Sequence, residues 1–156
     1  MTGELHCTNR QRGKRINARY FRRALLFVLG EMKLEGWGVH FIFVSAKKMA
    51  EINMQFLGHE GSTDVITFPL LEKTDPKRAT GEIFISVEDA VKNAGFFDTS
   101  WQEEVFRYAI HGLLHLVGFD DLTTSERRLM KREEGVLLRK MCRTFPPAGI
   151  ESDHYG

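Results

Sequence analysis

Two histidines four residues apart lie in a stretch that reads as helix: His111-Gly112-Leu113-Leu114-His115-Leu116-Val117-Gly118-Phe119-Asp120-Asp121. At that spacing the two side chains share one helix face, one above the other. A helix commonly offers two imidazole nitrogens to one zinc ion in this way. Gly118 follows three residues after His115. A glycine there can take a left-handed conformation and end the helix sharply. The chain can then double back and bring Asp120 or Asp121 toward the imidazoles. Three protein ligands with a fourth position open to water is the layout of a catalytic rather than a structural zinc site.

Histidines at i and i+4 are common on ordinary helices, so the surrounding pattern has to carry the reading. At roughly 100° per residue, Val105, Ala109, Leu113, Leu116 and Val117 share one side. The histidines point the other way, with Glu104, Arg107 and Tyr108 as neighbours. They are not filling the main apolar face. Arg107 is close enough to that face to meet an anionic substrate, or else to form a salt bridge to Glu103 or Glu104.

The elements that must position this group can be read along the chain. Leu5 to Thr8 is a short first strand, followed by a basic connection and an amphipathic helix from Ile16 to Lys33. Val39 to Val44 is β-branched and aromatic, a strand covered on both faces, and His40 in it carries no chemistry. Ser45 caps a helix running through Phe56. Thr63 to Phe68 and Glu82 to Val87 are strands flanking a loop that suits an antiparallel hairpin. A short helix through Val91 to Ala94 opens near Ser86 and closes at Gly95. Thr99 or Ser100 caps the long histidine helix, and Ser100 with Glu103 has the capping-box spacing. Thr124 or Ser125 caps a final helix from Glu126 to Cys142. The fold class is α+β, a mixed sheet of about four strands packed with helices. Residues 1–145 form a single domain, and residues 146–156 a flexible tail in which His154 is not a ligand.

Composition bounds the function. The 156 residues are 42% hydrophobic and 28% charged, as in soluble globular proteins. The two cysteines, Cys7 and Cys142, match no metal spacing and no disulfide framework, which suits a reducing cytoplasm. No apolar run reaches membrane-spanning length, and the N-terminus lacks a signal-peptide core, so neither a membrane nor export is expected. The net charge of +1 hides a segregation. Arg10, Arg12, Lys14, Arg15, Arg19, Arg22 and Arg23 occur with no acid between Leu5 and Gly30, leaving 15 basic and 21 acidic residues elsewhere, a balance of −6. Segregated positive charge suits either a polyanionic partner or a merely solvated face.

Three stretches together resemble the YbeY family of bacterial endoribonucleases, the ribosomal RNA maturation factors. The family signature His-Gly-x-Leu-His-Leu-x-Gly-[Tyr/Phe]-Asp-His is matched from His111 to Asp120. Asn53…Phe56 followed by Ser62-Thr63-Asp64-Val65-Ile66-Thr67-Phe68-Pro69 is a second, and Gly81-Glu82-Ile83-Phe84-Ile85 a third. The order of elements agrees from about residue 4 to 142. The resemblance implies a zincin-like metal helix, one Zn(2+) per chain, a cytoplasmic location and single-strand cleavage. It further implies a role in maturing the 3′ end of small-subunit ribosomal RNA and in ribosome quality control. The implied partners are ribosomal RNA and the small ribosomal subunit with its proteins, not DNA.

Two positions depart from the family. Asp121 stands where the third metal ligand is usually histidine, which makes His111, His115 and Asp121 the expected set, with Asp120 the competing carboxylate. An aspartate adds a negative charge, weakens the Lewis acid and broadens metal choice. Leu57 stands where the family typically has an arginine facing the metal, so no catalytic side chain is assigned. His59 or a base of the N-terminal arm could substitute.

Arg10, Arg12, Lys14, Arg15 and Arg19 are the expected RNA-backbone contacts. Two other readings compete. A non-catalytic ribosome assembly factor with a structural or vestigial metal would also accommodate Leu57 and Asp121. A metzincin-like peptidase shares the ligand spacing but needs a glutamate directly after the first histidine, where this chain has Gly112.

Overall fold

The computed structural model describes residues 2–151; Met1 and the segment 152–156, including His154, lie outside them. A four-stranded sheet has the order β1-β2-β4-β3, built from β1 (Thr2–Asn9), β2 (Gly36–Val44), β3 (Val65–Pro69) and β4 (Arg78–Ser86). β1, β2 and β4 run parallel, and β3 returns antiparallel on β4 as the expected hairpin. The helices are α1 (Ala18–Glu31), α2 (Ala46–Ile52), α3 (Val87–Phe97), α4 (Trp101–Leu116) and α5 (Thr124–Thr144). α2 continues into a wider π-type turn, Asn53–Leu57, which ends at Gly58 in the left-handed conformation. The architecture is α+β with a mixed sheet.

The main core lies on one sheet face, where α1 and α4 bury Phe21, Leu25, Val105, Phe106 and Leu113 against Phe41, Phe43 and Ile83. On the other face α2 covers only part of the sheet, packing Met49 and Ile52 on Ile42, Val44 and Ile66. β2 is therefore covered on both faces only from Phe41 to Val44; toward Gly36 it is half-buried. His40 falls in that less covered half and its Nε2 hydrogen-bonds Thr8 Oγ1 at 2.6 Å.

Several boundaries differ from the sequence expectation. β1 begins by Thr2 and β4 at Arg78, because pairing along β2 carries both strands past their apolar centres. α3 extends to Phe97 and stops at Asp98 with φ +54°. The cap of α5 is Thr123, neither Thr124 nor Ser125: its hydroxyl accepts from the Glu126 amide while the Glu126 carboxylate accepts from the Thr123 amide. The segment expected to be loose from residue 146 is folded at least through Glu151. Pro147–Glu151 is a 3₁₀ turn, Ile150 is fully buried, and its carbonyl accepts from the Asn17 amide at the start of α1.

α4 lies close on the sheet at one point. A Cβ added to Gly112 would fall 2.8 Å from both Cδ1 and Cγ2 of the fully buried Ile83 on β4. The glycine beside His111 is thus a contact requirement of helix on strand. Helix propensity alone would make Gly112→Ala stabilising by about 1 kcal/mol. Overpacking should reverse the sign, costing about 1–3 kcal/mol, read as a lowered Tm in thermal unfolding. An unchanged or raised Tm would show that the helix has room to lift.

Candidate metal centre

α4 starts and stops with defined chemistry. Ser100 accepts the Glu103 amide at its N-cap. At the other end the Gly118 amide bonds the His115 carbonyl and the Phe119 amide the Leu114 carbonyl, with Gly118 at φ +105°. These two bonds are the paired C-terminal closure that needs a left-handed residue. Phe119 then packs on the main core, which turns the following residues back over the last turn of the helix.

There the Asp120 carboxylate accepts the Asp121 amide at 2.9 Å, and the Asp121 carboxylate faces the histidines. Asp121 Oδ2 is 3.6 Å from Nε2 of each histidine, and the two Nε2 atoms are 3.1 Å apart. Four ligands placed tetrahedrally at zinc-like bond lengths are separated by roughly 3.4 Å. Three donor atoms at 3.1, 3.6 and 3.6 Å therefore surround a point that fits one small divalent ion. Among the described residues this is the one cluster of three or more such side chains. Asp121 enters it and Asp120 does not.

The donor set is prepared from behind. His111 Nδ1 donates to Glu134 Oε2 of α5 at 3.0 Å. A carboxylate only accepts, so this bond places the ring proton on Nδ1 and leaves Nε2 as a bare donor atom toward the ion position. Two bare imidazole nitrogens 3.1 Å apart repel unless a cation or a proton lies between them. Burial opposes charge on His111, but the hydrogen bond and charge of Glu134 outweigh it and hold its proton more tightly than usual. Burial and the neighbouring His111 push His115 the other way.

Glu134 is held in turn. Arg107 reaches Glu104, Glu103 and Glu134 at 3.2, 3.4 and 3.4 Å, which satisfies charges that would be costly to bury alone. Arg107 thus makes both of the salt bridges expected for it, and a third. The expected polar face of α4 is itself largely covered. Glu104 and Tyr108 are buried, because α5 brings Glu134 to Arg107 and α3 brings Asn93 to the Tyr108 hydroxyl at 2.7 Å.

The histidines and Asp121 open into a cavity of about 580 Å³, walled by Asn53, Leu57, His59, Thr67 and Thr74 among others. Leu57 and His59 both reach it, as the sequence suggests for this loop. The N-terminal bases do not line it. The Gln11 side chain fixes their loop, donating to Asn9 Oδ1 and the Lys14 carbonyl, and the Lys14 ammonium sits 5.8 Å from the Trp101 ring centroid. Trp101 begins α4, so this loop is about 15–21 Å along the helix from the two histidines. Two residues of the site were not expected. One is Glu134; the other is Asp64, which lines the cavity and whose carboxyl is shifted upward by burial. Glu134 lies three residues past Lys131 on a helix whose acids otherwise read as solvated, so only its buried position reveals it.

The chain as a whole is similar to known proteins. Residues 6–142 match the family model described as Endoribonuclease YbeY. The Endoribonuclease YbeY of Chlorobium phaeovibrioides is 33% identical over 139 residues, covering 89% of this chain and 90% of that protein. The Endoribonuclease YbeY of Elusimicrobium minutum is 36% identical over 130 residues, covering 78% of this chain and 91% of that protein. In three dimensions the chain is similar to a Thermotoga maritima protein solved in solution, with a TM-score of 0.68 at 24% identity over 98% of this chain and 99% of that one. That likeness shows the fold.

The geometry orders the variants. In a competition titration against a chromophoric chelator, Asp121→Ala should lose divalent-metal affinity clearly and Asp120→Ala only slightly. Glu134→Gln, which keeps the volume but not the charge behind His111, should cost about 10–100-fold. Equal losses for the two aspartate variants would contradict the assignment of the third donor.

Proposed function

This chain belongs to the YbeY endoribonuclease family, and on that premise we propose that it is a zinc-dependent endoribonuclease cutting single-stranded RNA. Its place is the cytoplasm, in maturation of the 3′ end of small-subunit ribosomal RNA and in ribosome quality control, with ribosomal RNA and the small subunit as partners. The observation that carries the reading is the triangle of His111 Nε2, His115 Nε2 and Asp121 Oδ2, open on its fourth side to a large cavity.

His111, His115 and Asp121 hold the ion; Glu134 fixes the His111 tautomer, and Arg107 holds Glu134. When bound, a zinc ion lowers the pKa of a coordinated water and polarises a phosphoryl oxygen. The chain supplies the rest. Asn53, Thr67 and Thr74 give the cavity wall uncharged hydrogen-bonding groups for sugar and phosphate oxygens. Asp64, near His111 and with its proton held more tightly than in an ordinary carboxyl, is placed to take up or release a proton at the cavity wall. Arg10, Arg12, Lys14, Arg15 and Arg19 would touch RNA only away from the ion, adding affinity without base choice.

One feature favours a second reading, an assembly factor that binds RNA without cutting it. Leu57, 47% exposed, gives the cavity wall an apolar side chain where the family resemblance calls for arginine. The peptidase reading has no such support. Its general base would occupy position 112, and a side chain there runs into Ile83.

The test is cleavage of a single-stranded oligoribonucleotide by metal-loaded protein beside His115→Ala. The enzyme reading expects cleavage by the first and a loss in the variant greater than the roughly 100-fold typical of changes behind a ligand. Binding by both with cleavage by neither would establish the assembly-factor reading instead.

A further inference from the structure

A second cavity, about 520 Å³, adjoins the first on the α5 side. The two share Asp64, Val65, His111 and Asp121, so they form one groove with the histidine–aspartate group at its waist. The halves differ in charge. The first cavity is lined by no lysine or arginine and by three aspartates, Asp64, Asp120 and Asp121. The second shares Asp64 and Asp121 and adds Glu134, but it also brings four cations, Arg107, Arg127, Arg128 and Lys131. A polyanion crossing the waist meets cations on one side only.

Two of the four cations are committed elsewhere. Arg107 is engaged by three carboxylates. Arg127 donates to the carbonyls of Asp121 and Leu122 and to Thr124 Oγ1, which steadies the loop that carries the third donor. Arg128 and Lys131 are exposed, and among the described residues neither has an ion-pair or hydrogen-bond partner. Lys131 lies one helical turn before Glu134, and Arg128 one turn further back, on the α5 face that turns toward the groove.

We propose that Arg128 and Lys131 form a phosphate subsite in this second cavity, holding the backbone of a single-stranded RNA on the α5 side of the nucleotide that sits at the ion. This rests on the reading of the chain as acting on single-stranded RNA. It deepens that reading by giving the groove a polarity and a minimum substrate. The strand must carry at least one further phosphodiester on the α5 side, and it is held there by charge, without selection among bases. With Leu57 unable to meet a phosphate, these two cations supply the positive charge that the first cavity lacks.

The test is binding of a single-stranded oligoribonucleotide to zinc-loaded protein, measured by fluorescence anisotropy over a range of salt. The double variant R128Q/K131Q is compared with the parent. Glutamine keeps helix propensity at both exposed positions, and the charge-preserving R128K/K131R serves as the second variant. The logarithmic salt slope should fall by about 0.7 for each cation lost, so about 1.4 in the glutamine pair, with a raised KM in cleavage assays. The charge-preserving pair should keep the parental slope. A parental slope in the glutamine pair, or equal weakening in both variants, would overturn the subsite, as would a parent that does not bind RNA. A fall in slope with no cleavage by the parent would leave the subsite standing and remove the nuclease reading alone.

Discussion

Helix α4 has to serve the core and the cavity with the same sixteen residues. Most of its surface is buried against β4, α1, α3 and α5, and the two imidazoles mark the place where polar atoms break that burial. The close seat at Gly112 on Ile83 fixes how the helix lies on the sheet. The closure at Gly118 fixes where it ends. Both are backbone constraints met by glycines, and between them they set the height and direction of His111 and His115. Moving either would shift the donor atoms relative to the loop that returns Asp121.

A chain of charges stabilises the same region from the opposite side. Glu134 and Glu104 are both buried, and a buried carboxylate without a partner is costly. Arg107 joins them, and His111 takes the remaining Glu134 oxygen. The network fixes the contact of α4 with α5 and orients the imidazole in one step. It also commits the charge of Arg107 internally, so the cations beside the groove are those nearer the start of α5, while the N-terminal loop carries a second basic group. These lie in different places: one group flanks the ion, the other sits at the far end of α4.

Much of this was legible in the sequence because it is written in local spacing. The histidine pair, the glycine stop, the acid ten residues after the first histidine and the caps at Ser45, Ser86 and Ser100 all follow from short-range geometry. Glu134 was not legible, since nothing local separates it from Glu133; its role exists only once α5 lies on α4. The fold of Pro147–Glu151 was hidden for the same reason: a polar, proline-containing end reads as loose until Ile150 is seen in the core. The arginine-rich stretch from Arg10 to Arg23 was visible as a charge block, but composition carries no direction. Only the packing of its loop near Trp101 shows that it stands away from the ion.

Three donor atoms, two imidazole nitrogens and one carboxylate oxygen, have to converge on one ion. The most direct measurement is a crystal structure of zinc-loaded protein with the anomalous signal recorded at the zinc edge. One ion per chain is expected, about 2.0–2.2 Å from Nε2 of His111, Nε2 of His115 and an oxygen of Asp121, with the fourth side facing the cavity. An ion bound through Asp120 instead, or a histidine pair that stays empty at stoichiometric zinc, would contradict this arrangement.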